Sequence, residues 1–338
     1  MKAPGFWWRA SPSPLASLLQ PLGAIYGAIT ARRMRQAGAR ARLPVICVGN
    51  FVAGGAGKTP ATLALAARLA AMGERPFALS RGYGGRLAGP AVVDPAIHAA
   101  ADIGDEPLLL AGGLPTIVAR DRPAGAAQAQ SLGASLVLMD DGLQNPSLHK
   151  DLRLAVVDGA VGVGNGLCLP AGPLRAPLAE QLGQVDAVIV IGDGRAGEAV
   201  AVQAEAARVA VLRARLMVSQ ELEARLAGTR VLAASGIGRP EKFAATLREA
   251  GAVLVGERRF GDHHAYSPED AAALIAQAKA RDCLVAVTEK DLVKLAPLWP
   301  AQERARLLAV PVALAFADEA GLDRLLREAL ERARSGAA

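Results

Sequence analysis

The stretch Val45-Ile46-Cys47-Val48-Gly49-Asn50-Phe51-Val52-Ala53-Gly54-Gly55-Ala56-Gly57-Lys58-Thr59-Pro60 runs from an apolar segment into glycines and on into a helical pattern. Glycines let successive backbone N–H groups turn inward around a phosphate, and a helix start behind them adds its positive dipole end. Gly54, Gly55, Ala56 and Gly57 would form that cradle, Lys58 would meet the β and γ oxygens, and Thr59 would offer a hydroxyl to Mg²⁺. Pro60 falls in the first turn, where its missing donor is no loss. The first glycine of the G-x-x-x-x-G-K-[ST] pattern would stand at position 52, which is Val52, so Gly54 and Gly55 are expected to make the turn instead. The implied chemistry is binding of a nucleoside triphosphate with its magnesium ion.

A metal needs further ligands. Leu136-Val137-Leu138-Met139-Asp140-Asp141-Gly142 ends an apolar strand in two carboxylates, which puts Asp140 and Asp141 at a carboxyl edge, where open α/β sheets bind ligands. The fate of the γ-phosphate must rest on other residues. Gly104-Asp105-Glu106-Pro107 opens a helix. On spacing alone Asp105 reads as a helix cap, and the chemical alternative is a base that orients an acceptor hydroxyl. Asp262-His263-His264 carries two of the four histidines in a loop between Phe260 and Tyr266, where an inert surface role outweighs a catalytic one. Gly192-Asp193-Gly194-Arg195-Ala196-Gly197 is a literal G-x-G-x-x-G. The next strand carries Arg213 and Arg215 where a dinucleotide site wants an acid, so a surface turn explains it and an NADP site is the alternative.

These groups need a scaffold, and from position 43 short β-rich runs alternate with Ala/Leu-rich helical stretches. Strands are predicted over 43–48, 77–80, 116–119, 136–139 and 154–157, and, after a Gly/Pro-rich loop over 159–177, over 187–191, 209–216, 231–234, 284–287 and 310–316. Helices are predicted over 58–72, 106–111, 124–132, 241–250, 268–280 and 319–333. Strands separated by helices demand crossover connections. The expected class is therefore α/β, a P-loop NTPase with a mainly parallel sheet. Two lobes are expected, nucleotide-binding over 43–175 and a second over 176–338, behind an N-terminal segment over 1–42.

In 338 residues, 52% hydrophobic and 21% charged side chains exclude both a disordered chain and a polytopic membrane protein. Aromatics at 4% argue against stacking platforms, so no nucleic-acid partner is expected. Cys47, Cys168 and Cys283 lie too far apart for a zinc knuckle or a disulfide framework. The net charge of +6 is local, because the first acidic residue is Glu74. Within that basic start, Leu15, Leu18, Leu19, Leu22, Ile25, Tyr26 and Ile29 form one helical stripe with small residues opposite. Phe6, Trp7 and Trp8 precede it, and Arg32, Arg33, Arg35, Arg40 and Arg42 follow. That is the order of an amphipathic interfacial anchor: aromatics at headgroup depth, stripe in the acyl boundary, arginines on anionic lipid. The run falls short of the roughly 18 to 20 apolar residues of a span. Arginines after the apolar part disfavour a signal peptide and hold the chain on the cytoplasmic side. A helix packed on its own domain is the other reading, compatible with the first; charge alone also allows a nucleic-acid arm, the weakest of the three.

Taken in order, the motifs resemble the tetraacyldisaccharide 4'-kinase family of lipid A biosynthesis. The resembling stretches are Gly49-Asn50 with Gly54 to Pro60, Ser80-Arg81-Gly82-Tyr83-Gly84-Gly85, Gly104 to Pro107, Asp140-Asp141-Gly142-Leu143-Gln144, Leu169 to Arg175, Ser235 to Pro240, Phe260 to His263, and Thr288-Glu289-Lys290-Asp291. The resemblance implies a kinase that moves the γ-phosphate of ATP to the 4'-hydroxyl of a tetraacylated glucosamine disaccharide 1-phosphate. It would work as a peripheral protein at the cytoplasmic face of the bacterial inner membrane, held there by its N-terminal helix. The resemblance further implies Asp105 as base paired with His263, Lys58 and Thr59 serving ATP and Mg²⁺, Asp140 and Asp141 as the metal-side acids, and Arg175 on a phosphate. Two departures stand out. Ala176 replaces a glutamate common in the family, and Leu143 and Asn145 replace Phe and His of Asp-Asp-Gly-Phe-Gln-His, so no acid acts at 176 and no histidine at 145. The runner-up is a membrane-associated P-loop ATPase switch, whose base would activate water and leave no phosphorylated acceptor.

Overall fold

The computed structural model describes residues 3–9, 11–262 and 264–336. Among the described residues thirteen strands form two sheets. In chain order they are β1 (Val45–Asn50), β2 (Pro76–Ser80), β3 (Ala91–Val92), β4 (Thr116–Val118), β5 (Leu136–Asp140), β6 (Leu152–Asp158), β7 (Ala187–Ile191), β8 (Ala210–Met217), β9 (Arg230–Ser235), β10 (Val253–Arg259), β11 (Leu284–Thr288), β12 (Leu307–Val310) and β13 (Ala313–Phe316). The large sheet has the order β13-β8-β7-β6-β1-β5-β2-β4-β3 and the small one β10-β9-β11-β12. Every pairing is parallel except β13 on β8 and β3 on β4. From β1 the chain winds to β2 on one side and later to β6 on the other, which makes the carboxyl end of β1 the switch point of the sheet.

Burial on both faces explains why the central strands read as continuous apolar runs rather than alternating ones. Along β1 and β5, Cys47, Val137 and Met139 belong to the core on one face, and Ile46, Val48, Leu136 and Leu138 to the core on the other. The second core is closed by Ala61, Leu65 and Leu69 of the helix Lys58–Ala71 and by Leu322, Leu326 and Leu330 of the helix Glu319–Ser335. Phe243 and Leu247 cover one face of the small sheet, and Leu274, Ala278 and Trp299 the other.

The sheets divide the chain differently from the expected boundary at 175. β7 and β8 extend the large sheet, and β13 returns to its edge, so the second lobe is β9–β12 with their helices, inserted between β8 and β13. The cause is visible at Pro311: the expected strand over 310–316 breaks there, Val310 ending β12 and Ala313 beginning β13 in the other sheet. Proline has no ladder donor. The strand β10, not foreseen, is an edge strand whose Gly-Glu-Arg-Arg ending masks the β pattern.

The N-terminal helix spans Pro14–Met34, capped by Ser13, whose Oγ accepts from the Ala16 N–H. It buries its small residues, Ala16, Gly23, Gly27 and Ala31, with Gly23 and Gly27 against Cys168 and its surroundings. Its large apolar residues face outward, Leu18 with 77% of its surface exposed and Ile25 with 60%. The tryptophans depart from the expected headgroup placement: Trp7 donates its indole N–H to the Pro170 carbonyl, and Trp8 packs on the main core. No helix among the described residues is long and apolar enough to cross a membrane.

Candidate nucleotide and acceptor site

β1 is wholly buried and delivers the chain to the loop at its carboxyl end. Residues 51 to 53 are pinned from outside, since Val52 bridges Leu174, Ala53 N–H donates to the Pro173 carbonyl and Arg175 N–H to that of Phe51. Val52 is thus a buried bridge residue, and the turning falls to Gly54, at φ +125°, and Gly57, at φ +94°, while Gly55 needs no left-handed conformation. At Gly57 any other residue would be strained and would also drive its Cβ toward Ile191. Gly57 precedes the helix Lys58–Ala71, and no side chain caps that helix, so its first-turn N–H groups face the exposed mouth formed by Gly54 and Gly55.

Lys58 is buried, with Nζ 3.8 Å from Asp141 Oδ1. On the neighbouring strand end Asp141 takes the left-handed conformation, φ 49°, and accepts from Arg175 Nη2 at 3.2 Å. Arg175 Nε donates to the Val52 carbonyl at 3.2 Å, so one guanidinium ties the acidic turn to the phosphate loop. Burial alone would raise the Asp141 carboxyl, but Lys58 and Arg175 outweigh it and hold it below the usual carboxylate range. Asp140 is the opposite case. It is buried and among the described residues neither carboxylate oxygen finds a hydrogen-bond donor; burial first, then the charge of Glu106, pushes its carboxyl up to about 7. Asp141 Oδ1 is likewise without a donor. Orphaned buried acceptors beside a hydroxyl-bearing helix start suit a cation that completes their coordination. Among the described residues no three His, Cys, Asp or Glu side chains gather into a cage.

Asp105 does not cap its helix. Gly104 occupies the cap position of Asp105–Ala111 with no side-chain bond to the first turn. The buried Asp105 carboxylate instead meets two ammonium groups from the other sheet's lobe, Lys290 Nζ at 3.6 Å and Lys294 Nζ at 3.7 Å. Lys290 also lies 3.9 Å from Asp262. His263, the expected partner of Asp105, lies outside the described residues; its neighbour His264 is turned to Asp270 at 2.9 Å and stacks on Phe260. The loop after β9 approaches the phosphate loop, a Cβ on Gly238 falling 4.0 Å from the Gly55 nitrogen. Carboxyl edges of both sheets therefore line one cleft.

Several members of this cleft were not foreseen. Lys290 and Lys294 stand at i, i+4 in the helix Glu289–Leu295, a spacing legible in the sequence, but the acids beside them there, Glu289 and Asp291, give no sign of the distant Asp105 that they meet. Asp291 between them is fully buried and accepts from the Gly236 N–H at 3.0 Å, Tyr266 Oη at 2.9 Å and Thr288 Oγ1 at 2.6 Å. Asp158 ends β6 as Asp140 ends β5, and takes Lys242 Nζ at 2.9 Å and the guanidinium of Arg239. Arg122, buried at a helix start, donates to the carbonyls of Leu79 and Asp140 and so fixes two strand ends. The departures also find places: Ala176 is buried with its carbonyl taken by Gln181, and Asn145 closes a turn onto the Ser147 N–H. The Gly192–Gly197 turn packs on the Gly159 backbone, where a Cβ on Gly197 would lie 2.5 Å from the Gly159 Cα.

Parallel strand, glycine turn, uncapped helix and paired acids on the adjacent strand occupy the places they have in P-loop nucleotide-binding proteins, and the fold belongs to that class. Within it, the chain belongs to the tetraacyldisaccharide-1-P 4'-kinase family, whose profile matches residues 15–331. It is 56% identical over 333 residues to the tetraacyldisaccharide 4'-kinase of Methylorubrum extorquens, covering 98% of this chain and all of that one. To that of Methylobacterium radiotolerans it is 57% identical over 330 residues, covering 98% and 99%. Among solved structures, LpxK from Aquifex aeolicus in complex with ATP shares the fold at a TM-score of 0.69 and 23% identity, with 94% of this chain and 99% of that one covered.

Proposed function

We propose that this chain transfers the γ-phosphoryl group of ATP to the 4'-hydroxyl of a tetraacylated glucosamine disaccharide 1-phosphate. Family membership supports the reaction, and the observation that carries the site is Asp105, buried at a helix start and held by lysines of the opposite lobe. Gly54 to Thr59 wrap the triphosphate and Lys58 neutralises its β/γ oxygens. Thr59, Asp140 and Asp141 would hold Mg²⁺, which when bound offsets phosphate charge. Asp105, with His263, orients the acceptor hydroxyl and takes its proton, a modest demand when the transferring group is loosely bonded. Arg175 keeps Asp141 in register with the loop and leaves part of its guanidinium open to a phosphate.

The enzyme is peripheral at the cytoplasmic face of the inner membrane. The outward apolar stripe of the Pro14–Met34 helix supports this, because a contiguous exposed apolar face marks an interaction site. The acceptor's acyl chains stay with the bilayer while its sugar enters the cleft. The reading is tested with γ-labelled ATP, Mg²⁺ and tetraacyldisaccharide 1-phosphate in detergent micelles, beside Asp105→Ala and Lys58→Ala. Label in the lipid, lost in both variants, is expected; free phosphate with intact acceptor would establish an ATPase instead.

A further inference from the structure

Behind the acidic turn lies a pocket that the kinase site does not use. Its volume is about 170 Å³, room for several waters or one phosphoryl group. One wall is the turn over 34–38 that ends the N-terminal helix; the other is the segment from Leu143 to Arg153, with Gln184 at the side. A bridge between Ala39 and Leu148 holds the two walls together. Arg35, His149, Lys150 and Arg153 all line it, and no carboxylate does. Arg35 has an acid elsewhere, Glu180 at 2.7 Å. His149 is 3.5 Å from Asp151, and burial followed by the charges around it, Arg40, Arg153 and Lys150 among them, lowers its pKa despite that acid. Lys150 and Arg153 have no carboxylate within ion-pair distance among the described residues; they donate instead to the carbonyls of Asn145 and Gln184. The Lys150 and Arg153 side chains, half-buried with no carboxylate between them, repel one another, and burial chiefly, with Arg153 contributing, holds the Lys150 ammonium below its ordinary pKa. An incoming anion would relieve that strain.

We propose that this pocket binds the phosphate headgroup of an anionic bilayer phospholipid. The argument for a lipid rather than a free anion is position, and it rests on the membrane-facing reading of the N-terminal helix given above. The helix that exposes Leu18, Leu22, Ile25 and Ile29 runs directly into the 34–38 wall, with exposed Arg32 and Arg33 in its last turn. A bilayer lying on that stripe would bring its headgroups to the helix end that walls the pocket. Charge-assisted bonds from Lys150 and Arg153 would supply the recognition. The opposite wall begins at Leu143, two residues after Asp141, so an occupied pocket also steadies the turn that carries the nucleotide-side acids.

The full-length protein is titrated with soluble dihexanoyl phosphatidylglycerol at about 0.15 M salt, where diffuse surface attraction is screened beyond about 8 Å. Saturable binding is expected in the wild type, weakened at least tenfold in Arg153→Gln and in Lys150→Gln, partly restored in Arg153→Lys, and within twofold of wild type in Arg32→Gln/Arg33→Gln. Thermal melts identify a misfolded Lys150→Gln, in which case the Arg153 pair carries the test. Undiminished binding in the pocket variants, or loss confined to the Arg32/Arg33 variant, would overturn the proposal. Inorganic phosphate binding as tightly as the lipid would make this a free-phosphate site, and displacement by tetraacyldisaccharide 1-phosphate would make it an acceptor anchor; either overturns the bilayer-lipid assignment. Phosphotransfer in neutral detergent should be equal in wild type and Arg153→Gln. Wild type that phosphorylates no acceptor there fails the kinase reading and leaves the lipid titration standing.

Discussion

Asp140→Asn isolates the energetic burden that the nucleotide site imposes on the metal-free protein. Both carboxylate oxygens of Asp140 are buried without donors, and burial, with Glu106 and Asp141 adding and Lys58 opposing, moves the carboxyl from 3.8 up to about 7. An acid whose folded pKa lies above its unfolded one binds its proton more tightly in the native state. Stability therefore falls as pH rises from about 4 to about 7 and is level above that. At about 1.4 kcal/mol per unit, the ionised group destabilises the metal-free fold by roughly 4 kcal/mol above pH 7 and by about half as much near pH 5.5. Asparagine keeps the shape without the charge. The stability difference between Asp140→Asn and wild type should then move in the variant's favour by about 2 kcal/mol from about pH 5.5 to about pH 8. Urea unfolding in EDTA at both pH values measures it, and the same variant should lose transfer to the acceptor. A difference that does not change with pH, or that moves against the variant, would refute the inference that this carboxylate is uncompensated.

Lys294→Met should lower kcat by roughly 10- to 100-fold with KM for ATP unchanged, because it removes a buried ammonium that has no hydrogen-bond partner and lies 3.7 Å from Asp105; unchanged kcat in steady-state assays counts against its role in positioning that acid. Asp158→Ala leaves Arg239 and Lys242 without their buried acid and should destabilise the fold by about 3 kcal/mol at neutral pH. Burial opposes but Lys242 and Arg239 hold the Asp158 pKa below its ordinary value, so the deficit, seen in urea unfolding, should shrink only as pH falls below about 4 through that depressed pKa. Leu18→Glu with Ile25→Glu should abolish flotation with neutral vesicles while leaving the melting temperature within a few degrees, since both side chains are largely exposed; retained flotation would remove the helix from the membrane contact.

The large sheet was legible because its central strands are buried on both faces and separated by helices with clear stops, so β1, β2, β4, β5 and β7 fall within one or two residues of expectation. The lobe boundary was not, because β13 is assigned to a sheet by pairing across roughly a hundred residues, and only Pro311 hints at the break. The glycine turn after β1 and the acidic end of β5 could be read from local pattern, since backbone geometry and strand ends leave residue-level traces. Asp105 illustrates the limit: Gly-Asp-Glu-Pro looks like a cap from spacing, and its pairing with Lys290 and Lys294 depends on contacts nearly two hundred residues apart that no periodicity encodes.

The ion pairs that join the two sheets divide the proposed reaction in an unequal way. Lys58, Asp140, Asp141 and Arg175 all come from the large-sheet lobe and from each other's immediate neighbours, so the residues proposed to hold the triphosphate all stand on one sheet. Asp105 also stands on that lobe, but its two cations come from the helix after β11, and Asp158 draws Arg239 and Lys242 from the chain after β9. Any loosening of one sheet from the other strips the lysines from Asp105 while leaving the nucleotide residues in place. Triphosphate binding is then a property of one lobe and acceptor activation a property of both. It follows that Asp158→Ala, although remote in sequence from Lys294, should share the phenotype of Lys294→Met: ATP bound at normal affinity, and the lipid hydroxyl phosphorylated slowly. Loss of ATP affinity in either variant would show that the nucleotide site depends on the second sheet as well.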